Sequence, residues 1–378
     1  MANHDFIVVG AGIAGASAAY ELQRHGSVAL LERESLPGQH TTGRSAAFLV
    51  DSYAGPVVGK LTRAGRGFFE QPPEGFTEIP LVTPNSVLWI GRDDQRASLD
   101  AAIAKGREAG AKLHEVSISE AREICPVLRE DYVASAVAEP SAMHIDVAGL
   151  FEAFLRGFRQ RGGLIATKAE ATRIKRCGDA WEVEAGGQTF RAPIVVNAAG
   201  AWCDVIGRLA GARPIGLRPL RRTAITFDGP RDTDTRSWPL VIDADEDFYF
   251  KPEGAQLLAS PCDETPSEPC DPRAEDYDVA LAADRVQRAT NLEIRQIRNR
   301  WAGLRSFVAD RSIVIGMDAE RTGFFWLAGQ GGFGIMTSPA AARATAGLIV
   351  NDSLPEDLLD LGVTPEMLSV ERLSGNDQ

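Results

Sequence analysis

The sequence is poor in cysteine and contains no long apolar run. Its five cysteines (Cys125, Cys177, Cys203, Cys262 and Cys270) form no Cys-x-x-Cys pair, which argues against a disulfide framework or a zinc site. Cys262 and Cys270 could pair, but free thiols are expected. No stretch reaches the roughly 18 apolar residues of a membrane helix, and the first residues lack a secretory signal pattern. We therefore expect a reduced, cytoplasmic protein with no membrane span and no metal.

Positive charge is also scarce. Lysine and arginine number 40 against 52 aspartates and glutamates, so the net charge is −12. A field of that sign repels phosphate backbones, which excludes nucleic acid as an expected partner. Hydrophobic residues at 44% and charged residues at 24% are typical of a folded globular protein, and 378 residues allow two or three domains. Glycine is abundant, with 37 residues, many of them in short clusters.

The first 32 residues predict one complete βαβ unit. An apolar run at 6–9 is typical of a buried parallel strand, and a helix of small residues is expected over 16–25. A second apolar strand at 28–31 follows and ends at Glu32. The chain therefore starts with a Rossmann-like pattern.

A dinucleotide-binding fingerprint lies within this unit, at Gly10, Gly12 and Gly15. The first glycine makes a tight turn, the second admits a pyrophosphate, and the third lets helix and strand pack closely. Glu32 lies 22 residues after Gly10, where a carboxylate can accept ribose hydroxyls. A glycine turn without a ligand is the alternative, but the flanking strands and the acidic residue favour binding.

The fingerprint alone does not separate NAD from FAD. A Thr/Gly/Arg/Ser loop at 41–45 interrupts the pattern, and two more strand-to-glycine turns follow at 195–200 and 326–334. An extended FAD can contact such distant segments, whereas NAD would leave the third turn unexplained. The sequence therefore favours FAD.

Several other elements are predicted from local patterns. Asp146 is expected to cap an amphipathic helix that buries Leu150, Phe151, Phe154, Leu155 and Phe158. The remaining predictions are a charged helix at 94–109, a hairpin turn at 186–187, a long helix at 281–297, a C-terminal helix at 338–350 and a frayed tail at 373–378.

The chain resembles the D-amino-acid oxidase, glycine oxidase and sarcosine oxidase superfamily of flavoproteins, and within it the bacterial D-arginine dehydrogenases. The stretches that carry this resemblance extend over nearly the whole chain: GAGIAGAS (10–17), LLERE (30–34), TTGRSAA (41–47), VNAAGAWCD (196–204), WAGLRSFVAD (301–310) and AGQGGFGI (328–335).

The resemblance implies a mixed α/β fold in which a Rossmann-like FAD-binding domain is interleaved with a β-sheet-rich substrate domain. The FAD-binding domain would comprise 1–83, 144–217 and 303–372, the substrate domain 84–143 and 218–302, and the tail 373–378. The implied reaction is hydride transfer from Cα of a D-amino acid to flavin N5. The resulting imino acid hydrolyses to a 2-oxo acid and ammonia. Since no cysteine follows Cys270, we expect the FAD to be non-covalent.

The resemblance also implies a set of cofactor-binding residues. They are Gly10, Gly12, Ile13, Ala14, Gly15, Glu32, Arg33, Thr41, Thr42, Gly43, Arg44, Ser45, Ala46, Ala47, Phe48, Ala171, Ala199, Gly200, Trp202, Gly303, Gly331, Gly332, Phe333, Gly334, Ile335 and Met336.

Arg305 lies in an apolar row. Strand alternation puts its side chain on the same face as Trp301 and Phe307, where an arginine needs an anionic partner. The sequence pattern leaves open whether that partner is a distant carboxylate or a ligand. The resemblance matches Arg305 to a substrate-carboxylate-binding arginine, whose fork suits two parallel hydrogen bonds.

Further substrate contacts are implied by the same resemblance. Arg221 and Arg222 point to opposite faces of a strand, so one is expected in solvent, and the resemblance selects Arg222 for the substrate. Tyr249 and Tyr53 match substrate-contacting tyrosines, and the turn at Gly332 would bring its backbone close to both flavin and substrate.

Two positions depart from the D-arginine dehydrogenase pattern. Val87 stands where the relative has an acidic residue for the guanidinium, and Phe48 stands where it has histidine. Losing a charge-assisted partner costs roughly 1.5–3 kcal/mol, or about tenfold to a hundredfold in affinity. We therefore expect neutral, apolar D-amino acids to be preferred, with Glu246 partly compensating for a basic side chain.

Other activities stay open at this point. No acid–base dyad or triad is recognisable, so no catalytic side chain is assigned and the chemistry is expected to centre on the flavin. Oxidation of secondary amines or 2-hydroxy acids would use the same anchors. A non-catalytic electron-transfer flavoprotein subunit would need no carboxylate clamp, which disfavours it. Oxygen, a quinone or another carrier would reoxidise the flavin.

Overall fold

The computed structural model describes residues 2–53, 55–231 and 233–375. The strands in these residues are, in chain order, β1 (Ala2–Asn3), β2 (Phe6–Val9), β3 (Val28–Leu31), β4 (Phe48–Leu49), β5 (Val82–Pro84), β6 (Val87–Gly91), β7 (His114–Val116), β8 (Ser135–Glu139), β9 (Met143–Ile145), β10 (Leu164–Ala166), β11 (Ala171–Cys177), β12 (Ala180–Ala185), β13 (Gln188–Ala192), β14 (Ile194–Asn197), β15 (Arg218–Asp228), β16 (Leu240–Asp243), β17 (Tyr249–Glu253), β18 (Gln256–Ser260), β19 (Thr265–Pro266), β20 (Ile297–Phe307), β21 (Val314–Met317) and β22 (Phe324–Ala328).

The α-helices of the same residues are α1 (Ile13–Leu22), α2 (Pro56–Glu70), α3 (Arg96–Glu108), α4 (Ile118–Ile124), α5 (Val147–Gln160), α6 (Cys203–Leu209), α7 (Asp276–Ala289), α8 (Gly334–Val350), α9 (Glu356–Asp360) and α10 (Pro365–Leu368). Short 3₁₀ turns lie at Thr42–Arg44, Asp93–Gln95, Gly200–Trp202 and Val370–Gly375. Within the described residues, no helix combines the length and hydrophobicity needed to cross a membrane.

A six-stranded sheet is built around the first βαβ unit. Its order is β10–β3–β2–β14–β22–β21, and all neighbours are parallel except β21 and β22. All four residues of β2 and of β3 are buried, as expected for strands covered on both faces. Helices α1, α2, α5 and α8 contribute to the core on one face, and a four-stranded sheet, β1–β13–β12–β11, packs on the other.

A nine-stranded mixed sheet forms the second large element. Its order is β19–β15–β18–β17–β16–β6–β8–β7, with β20 also paired to β15. One face packs against α4 and α7, and the opposite face packs against α3 and β4. A small sheet, β4–β9–β5, lies beside it. The predicted mixed α/β class is thus confirmed, and the division into two domains stays a prediction.

The local predictions agree with the structure at several elements. Asp146 caps α5, because its Oδ1 accepts the N–H of Gly149 at 2.9 Å, and the five predicted apolar residues of that helix are buried. The hairpin turn between β12 and β13 has positive φ at Gly186 and Gly187, as a tight primed turn requires. The charged helix and the C-terminal helix form as α3 and α8.

The predicted helix at 281–297 is wrong in its bounds, since α7 covers Asp276–Ala289. Thr290 is extended and bridges to Leu128, and the N–H of Asn291 is donated to Val127 O at 2.8 Å. This pairing with a distant segment ends the helix. The predicted tail begins inside the 3₁₀ turn Val370–Gly375, and residues 376–378 lie outside the described residues.

Replacing Asp146 with alanine should destabilise the protein by about 1 kcal/mol, because an N-terminal N–H of α5 loses its acceptor. Asp146→Asn is the matched control, since asparagine caps helices equally well. Urea unfolding monitored by circular dichroism measures both. Equal losses in the two variants would contradict the assignment of the effect to capping.

Candidate functional site

A cleft of about 1720 Å³, its mouth included, is lined by residues from both large sheets. On one side lie the turns that follow β2 and β14, the end of β3 and the loop that leads to β4. On the other side lie β15, β17 and β20. Ligands of open α/β sheets bind at the carboxyl ends of parallel strands, and this cleft begins there.

Gly10 and Gly15 have no room for a side chain. Gly10 has φ +99°, and a Cβ there would lie 2.5 Å from Ala198 O. A Cβ at Gly15 would lie 1.8 Å from Gly10 O, so any side chain would force α1 away from β2. The fingerprint is thus required by packing as well as by access to the cleft. This geometry fits a dinucleotide phosphate at the start of α1.

Glu32 is only 7% exposed and lines the cleft at the end of β3. Its Oε2 accepts the N–H of Ala11 at 3.0 Å, and its Oε1 accepts the N–H of Glu34 at 2.9 Å. These bonds fix the carboxylate where a ribose would lie. Beside it, the Arg33 guanidinium lies 5.0 Å from the ring of Trp202.

The loop at 41–45 connects the two sides of the cleft. Thr42 Oγ1 accepts the N–H of Ile13 at 2.9 Å, so it takes one of the N–H groups at the start of α1. Thr41 Oγ1 donates to Leu304 O at 2.8 Å, and Arg44 Nη1 donates to Ala302 O at 2.9 Å. The dinucleotide side is therefore bonded directly to β20.

Most of the predicted cofactor residues line the cleft. They are Gly10, Gly12, Ile13, Ala14, Glu32, Arg33, Thr41, Thr42, Arg44, Ser45, Ala46, Ala47, Ala171, Ala199, Gly200, Trp202, Gly303, Gly331, Gly332, Gly334 and Ile335. The structure does not place Gly15, Gly43, Phe48, Phe333 or Met336 in the lining.

Arg222 and Arg305 lie on one face of the ladder formed by β15 and β20. Arg222 is opposite Gly303 and Leu220 is opposite Arg305, so the arginines are diagonal neighbours. Gly303 has no side chain, and a Cβ there would lie 3.7 Å from Arg44 Cβ, so the side chain of Arg44 approaches the ladder at this point. Both arginines line the cleft.

Arg222 is 8% exposed and only partly satisfied by the protein. Its Nε donates to Asp263 O at 2.8 Å and its Nη2 to Glu264 Oε1 at 3.3 Å, but Nη1 is buried and has no hydrogen-bond partner among the described residues. Glu264 is shared with Arg311, whose Nη2 lies 2.7 Å from Oε1. Arg222 thus keeps one buried donor group for a ligand.

Arg305 forms no ion pair within the described part of the chain, although it is partly buried. Its Nη1 donates to Tyr53 Oη at 3.3 Å. The distant carboxylate that the sequence left open is therefore not found among these residues. An uncompensated guanidinium in a cleft is a ready site for a carboxylate.

The prediction that one of the two adjacent arginines lies in solvent is wrong. Arg221 does point to the face opposite Arg222, but it is ion-paired with Glu275 and, at 2.9 Å, with Asp278 of α7. Helix α7 covers this face of the sheet, which gives Arg221 a structural role.

The two predicted tyrosines take different positions. Tyr249 lines the cleft, whereas Tyr53 lies behind Arg305, with its ring 5.5 Å from that of Phe333. Burial raises the pKa of Tyr53, and the charge of Arg305 only partly opposes this shift. The Tyr53 phenol is therefore neutral at physiological pH. A Cβ at Gly332 would lie 2.9 Å from the Arg305 guanidinium carbon, so only glycine leaves the arginine in place.

Phe48, Val87 and Glu246 do not line the cleft. Phe48 and Val87 are buried in one apolar cluster, against which Tyr53 and Tyr249 pack. Glu246 is exposed, on the turn between β16 and β17. Phe48 and Val87 thus make an apolar wall behind the tyrosines, and Glu246 lies outside it.

Sequence reasoning missed the segment that holds Arg222, residues 262–264. Asp263 accepts the N–H of Thr223 at 2.6 Å and supplies the carbonyl for Arg222. Cys262 has φ +53°, and burial raises the pKa of its thiol to about 11. An acidic pair beside a cysteine in a proline-rich stretch was the available signal. Among the described residues, no group of three or more metal-ligating side chains is found.

Replacing Gly15 with alanine should abolish cofactor binding, because the added Cβ would overlap Gly10 O at the fingerprint turn. Gly67→Ala in α2 is the control, since nothing lies within 4 Å of a Cβ there. The flavin absorbance per purified chain measures both variants. Full flavin content in Gly15→Ala would contradict this geometry.

Comparisons with known proteins extend over the same residues. The profile of the DAO family, described as FAD dependent oxidoreductase, matches residues 5–348. The bovine FAD-dependent oxidoreductase domain-containing protein 1 is 24% identical over 92% of this chain and 81% of its own length. Human mitochondrial sarcosine dehydrogenase is 25% identical over 93% of this chain, which spans only 40% of that protein.

Two solved structures show the same fold at low identity. L-proline dehydrogenase from P. horikoshii superposes with a TM-score of 0.84, at 20% identity, and covers 99% of this chain and 98% of its own. Glycine oxidase from Geobacillus kaustophilus has a TM-score of 0.84, at 22% identity, and covers 96% of this chain and 99% of its own. The finer resemblance to D-arginine dehydrogenases stays a prediction. Because the family profile covers most of the chain and the cleft fits the cofactor, the protein belongs to the DAO family of FAD-dependent oxidoreductases.

Proposed function

We propose that the protein oxidises a small amino acid at Cα, with a neutral, apolar D-amino acid as the preferred substrate. The observation that carries this proposal is the arginine pair on the face of β15 and β20. Arg222 keeps a buried Nη1 without a partner, and Arg305 has no ion pair in the described residues. Two cationic donors in one cleft call for an anion, and a substrate carboxylate supplies it.

The chain's own residues bind and orient the substrate in this proposal. Arg305 receives the carboxylate through its planar fork, and Arg222 adds its free donor. Tyr53 accepts from Arg305 Nη1 at 3.3 Å, so it holds the guanidinium that receives the carboxylate. FAD, when bound, supplies the acceptor for the hydride that leaves Cα. Holding the substrate at fixed geometry supplies much of the rate enhancement.

The preference for an apolar side chain rests on the wall behind the tyrosines. Val87 is fully buried, and Phe48 is 6% exposed and stacks edge-on against His144 at 5.4 Å. Neither offers an acceptor to a guanidinium. Glu246 is exposed to solvent, where screening weakens its attraction for a basic side chain.

Oxidation of a secondary amine is the second candidate. Relatives named sarcosine dehydrogenase and dimethylglycine dehydrogenase match much of the chain. A secondary amino acid carries the same carboxylate, so the arginine pair would anchor it equally well. The two candidates differ only in what the site accepts around the nitrogen and Cα.

Arg222→Lys should lower kcat/KM by roughly ten- to a hundredfold, because a lysine cannot reproduce the fork and loses one charge-assisted bond. Arg221→Lys is the matched control, since that neighbouring arginine pairs with Asp278 on the other face. Steady-state kinetics with the best substrate measures both. Equal losses in the two variants would contradict a substrate role for Arg222.

An anaerobic substrate panel tests the reaction itself. We expect neutral D-amino acids such as D-leucine, D-methionine and D-phenylalanine to bleach the flavin absorbance band at about 450 nm faster than D-arginine does. Sarcosine and proline are included to test the second candidate. A larger kcat/KM for D-arginine would contradict the apolar preference, and bleaching by secondary amines alone would replace the proposal with the second candidate.

We also propose that the protein works in the cytoplasm. The support is that its five cysteines are all free thiols in the structure. Oxygen, a quinone or another carrier would accept the electrons. Oxygen consumption during turnover separates the first from the other two.

A further inference from the structure

Glu139 is a buried carboxylate that lies outside the cleft. It stands at the end of β8 and is 0% exposed. Among the described residues, no lysine, arginine or histidine forms an ion pair with it. Burying an anion without a cation is unfavourable unless hydrogen bonds compensate.

The compensating bonds come from the backbone that immediately precedes Tyr53. Glu139 Oε1 accepts the N–H of Asp51 at 2.8 Å, and Oε2 accepts the N–H of Ser52 at 3.3 Å. Two successive N–H groups thus converge on one carboxylate, which is supplied by a side chain of the same protein. The next residue is Tyr53, whose hydroxyl accepts from Arg305.

The rest of this segment is held from other directions. The Asp51 carboxylate pairs with Arg66 of α2 at 2.8 Å, and Trp89 Nε1 donates to Ser52 Oγ at 3.4 Å. These contacts hold side chains, whereas Glu139 holds the two peptide groups that set the direction of the chain into Tyr53.

We propose that Glu139 positions Tyr53 for substrate binding by holding the backbone of Asp51 and Ser52. Glu139 is a positioning residue, because it reaches the substrate only through Tyr53. It is opposite Val87 in the register of β6 and β8, so it lies on the sheet face that bears the apolar wall. The inference rests on the proposed function in one respect, namely that Arg305, which Tyr53 holds, binds the substrate.

The arrangement has a definite pH dependence. Burial raises the pKa of Glu139 and the nearby Asp51 raises it further, whereas hydrogen bonds from the Ser52 side chain and from the Asp51 and Ser52 backbone oppose the shift. Arg66 is engaged by Asp51 and by Glu70, at 3.4 Å, rather than by Glu139. Protonation of Glu139 as the pH falls through its raised pKa removes an acceptor from one N–H. Substrate affinity should therefore decrease on the acid side.

The test is Glu139→Gln, whose amide places a donor against a backbone donor. We expect KM to rise roughly ten- to a hundredfold with little change in kcat, since one or two charge-assisted bonds are lost. Hydrogen exchange measured by mass spectrometry should show faster exchange of the Asp51 and Ser52 amides. Asp318→Asn is the matched control, because Asp318 also accepts two backbone N–H groups, from Glu320 and Arg321, on a distant turn.

A double-mutant cycle with Tyr53→Phe separates positioning from general stability. If Glu139 acts through Tyr53, adding Glu139→Gln to Tyr53→Phe should change KM little. The KM of the Glu139→Gln single variant should also not rise at acid pH, as the wild-type KM does. Additive effects, unchanged amide exchange, or a KM change no larger than that of Asp318→Asn would each overturn the proposal.

Two further outcomes are distinguishable. Faster exchange in Glu139→Gln, with no flavin bleaching of the wild type by any amino acid, would support the anchor and contradict the proposed function. If Glu139→Gln does not fold, the test is to measure the KM of Tyr53→Phe and of the wild type across pH and to compare their ratio. That ratio should decrease at acid pH, and a constant ratio would overturn the proposal.

Discussion

The positive charge on one face of the β15–β20 ladder is the constraint on which the rest of the site depends. Arg222 and Arg305 are diagonal neighbours there, and the chain neutralises them only in part, through Glu264. Placing two guanidinium groups side by side without a full set of anionic partners is unfavourable for folding. The surrounding elements make it tolerable: the 262–264 segment holds one guanidinium, and Tyr53 holds the other.

The fold brings this charged face to the end of the dinucleotide fingerprint. Parallel strands β2 and β14 end at the cleft, and the nine-stranded sheet presents the face that bears the arginines and Tyr249. Its opposite face is covered by α7, which pairs with Arg221. One strand thus serves two purposes: alternate residues of β15 bind the covering helix and line the cleft.

Local sequence patterns predicted the elements whose interacting residues are close together in the sequence. The βαβ unit followed from Gly10, Gly15 and Glu32, because strand, turn and acidic residue are close in sequence. Helix α2 was not predicted, since Gly59, Gly65 and Gly67 lower its intrinsic helicity and packing against α8 stabilises it instead.

What the sequence did not reveal depends on contacts between distant segments. The bonds that Asp263 accepts from Thr223 and that Glu139 accepts from Asp51 join residues 40 and 88 positions apart. Local patterns do not show what such carboxylates hold, because their partners are backbone N–H groups that every residue carries. The resemblance predicts which residues contact a ligand, and the structure was needed to find the residues that hold them.

The bonds from Thr41 and Arg44 to the carbonyl groups of Leu304 and Ala302 have a thermodynamic consequence. The loop that would cover the cofactor is therefore hydrogen-bonded to the strand that carries Arg305. Ordering of that loop by FAD would therefore also order the carboxylate anchor, so the two binding equilibria are linked. A chain without cofactor would capture substrate poorly, and oxidisable substrate would be held only where an electron acceptor is already present.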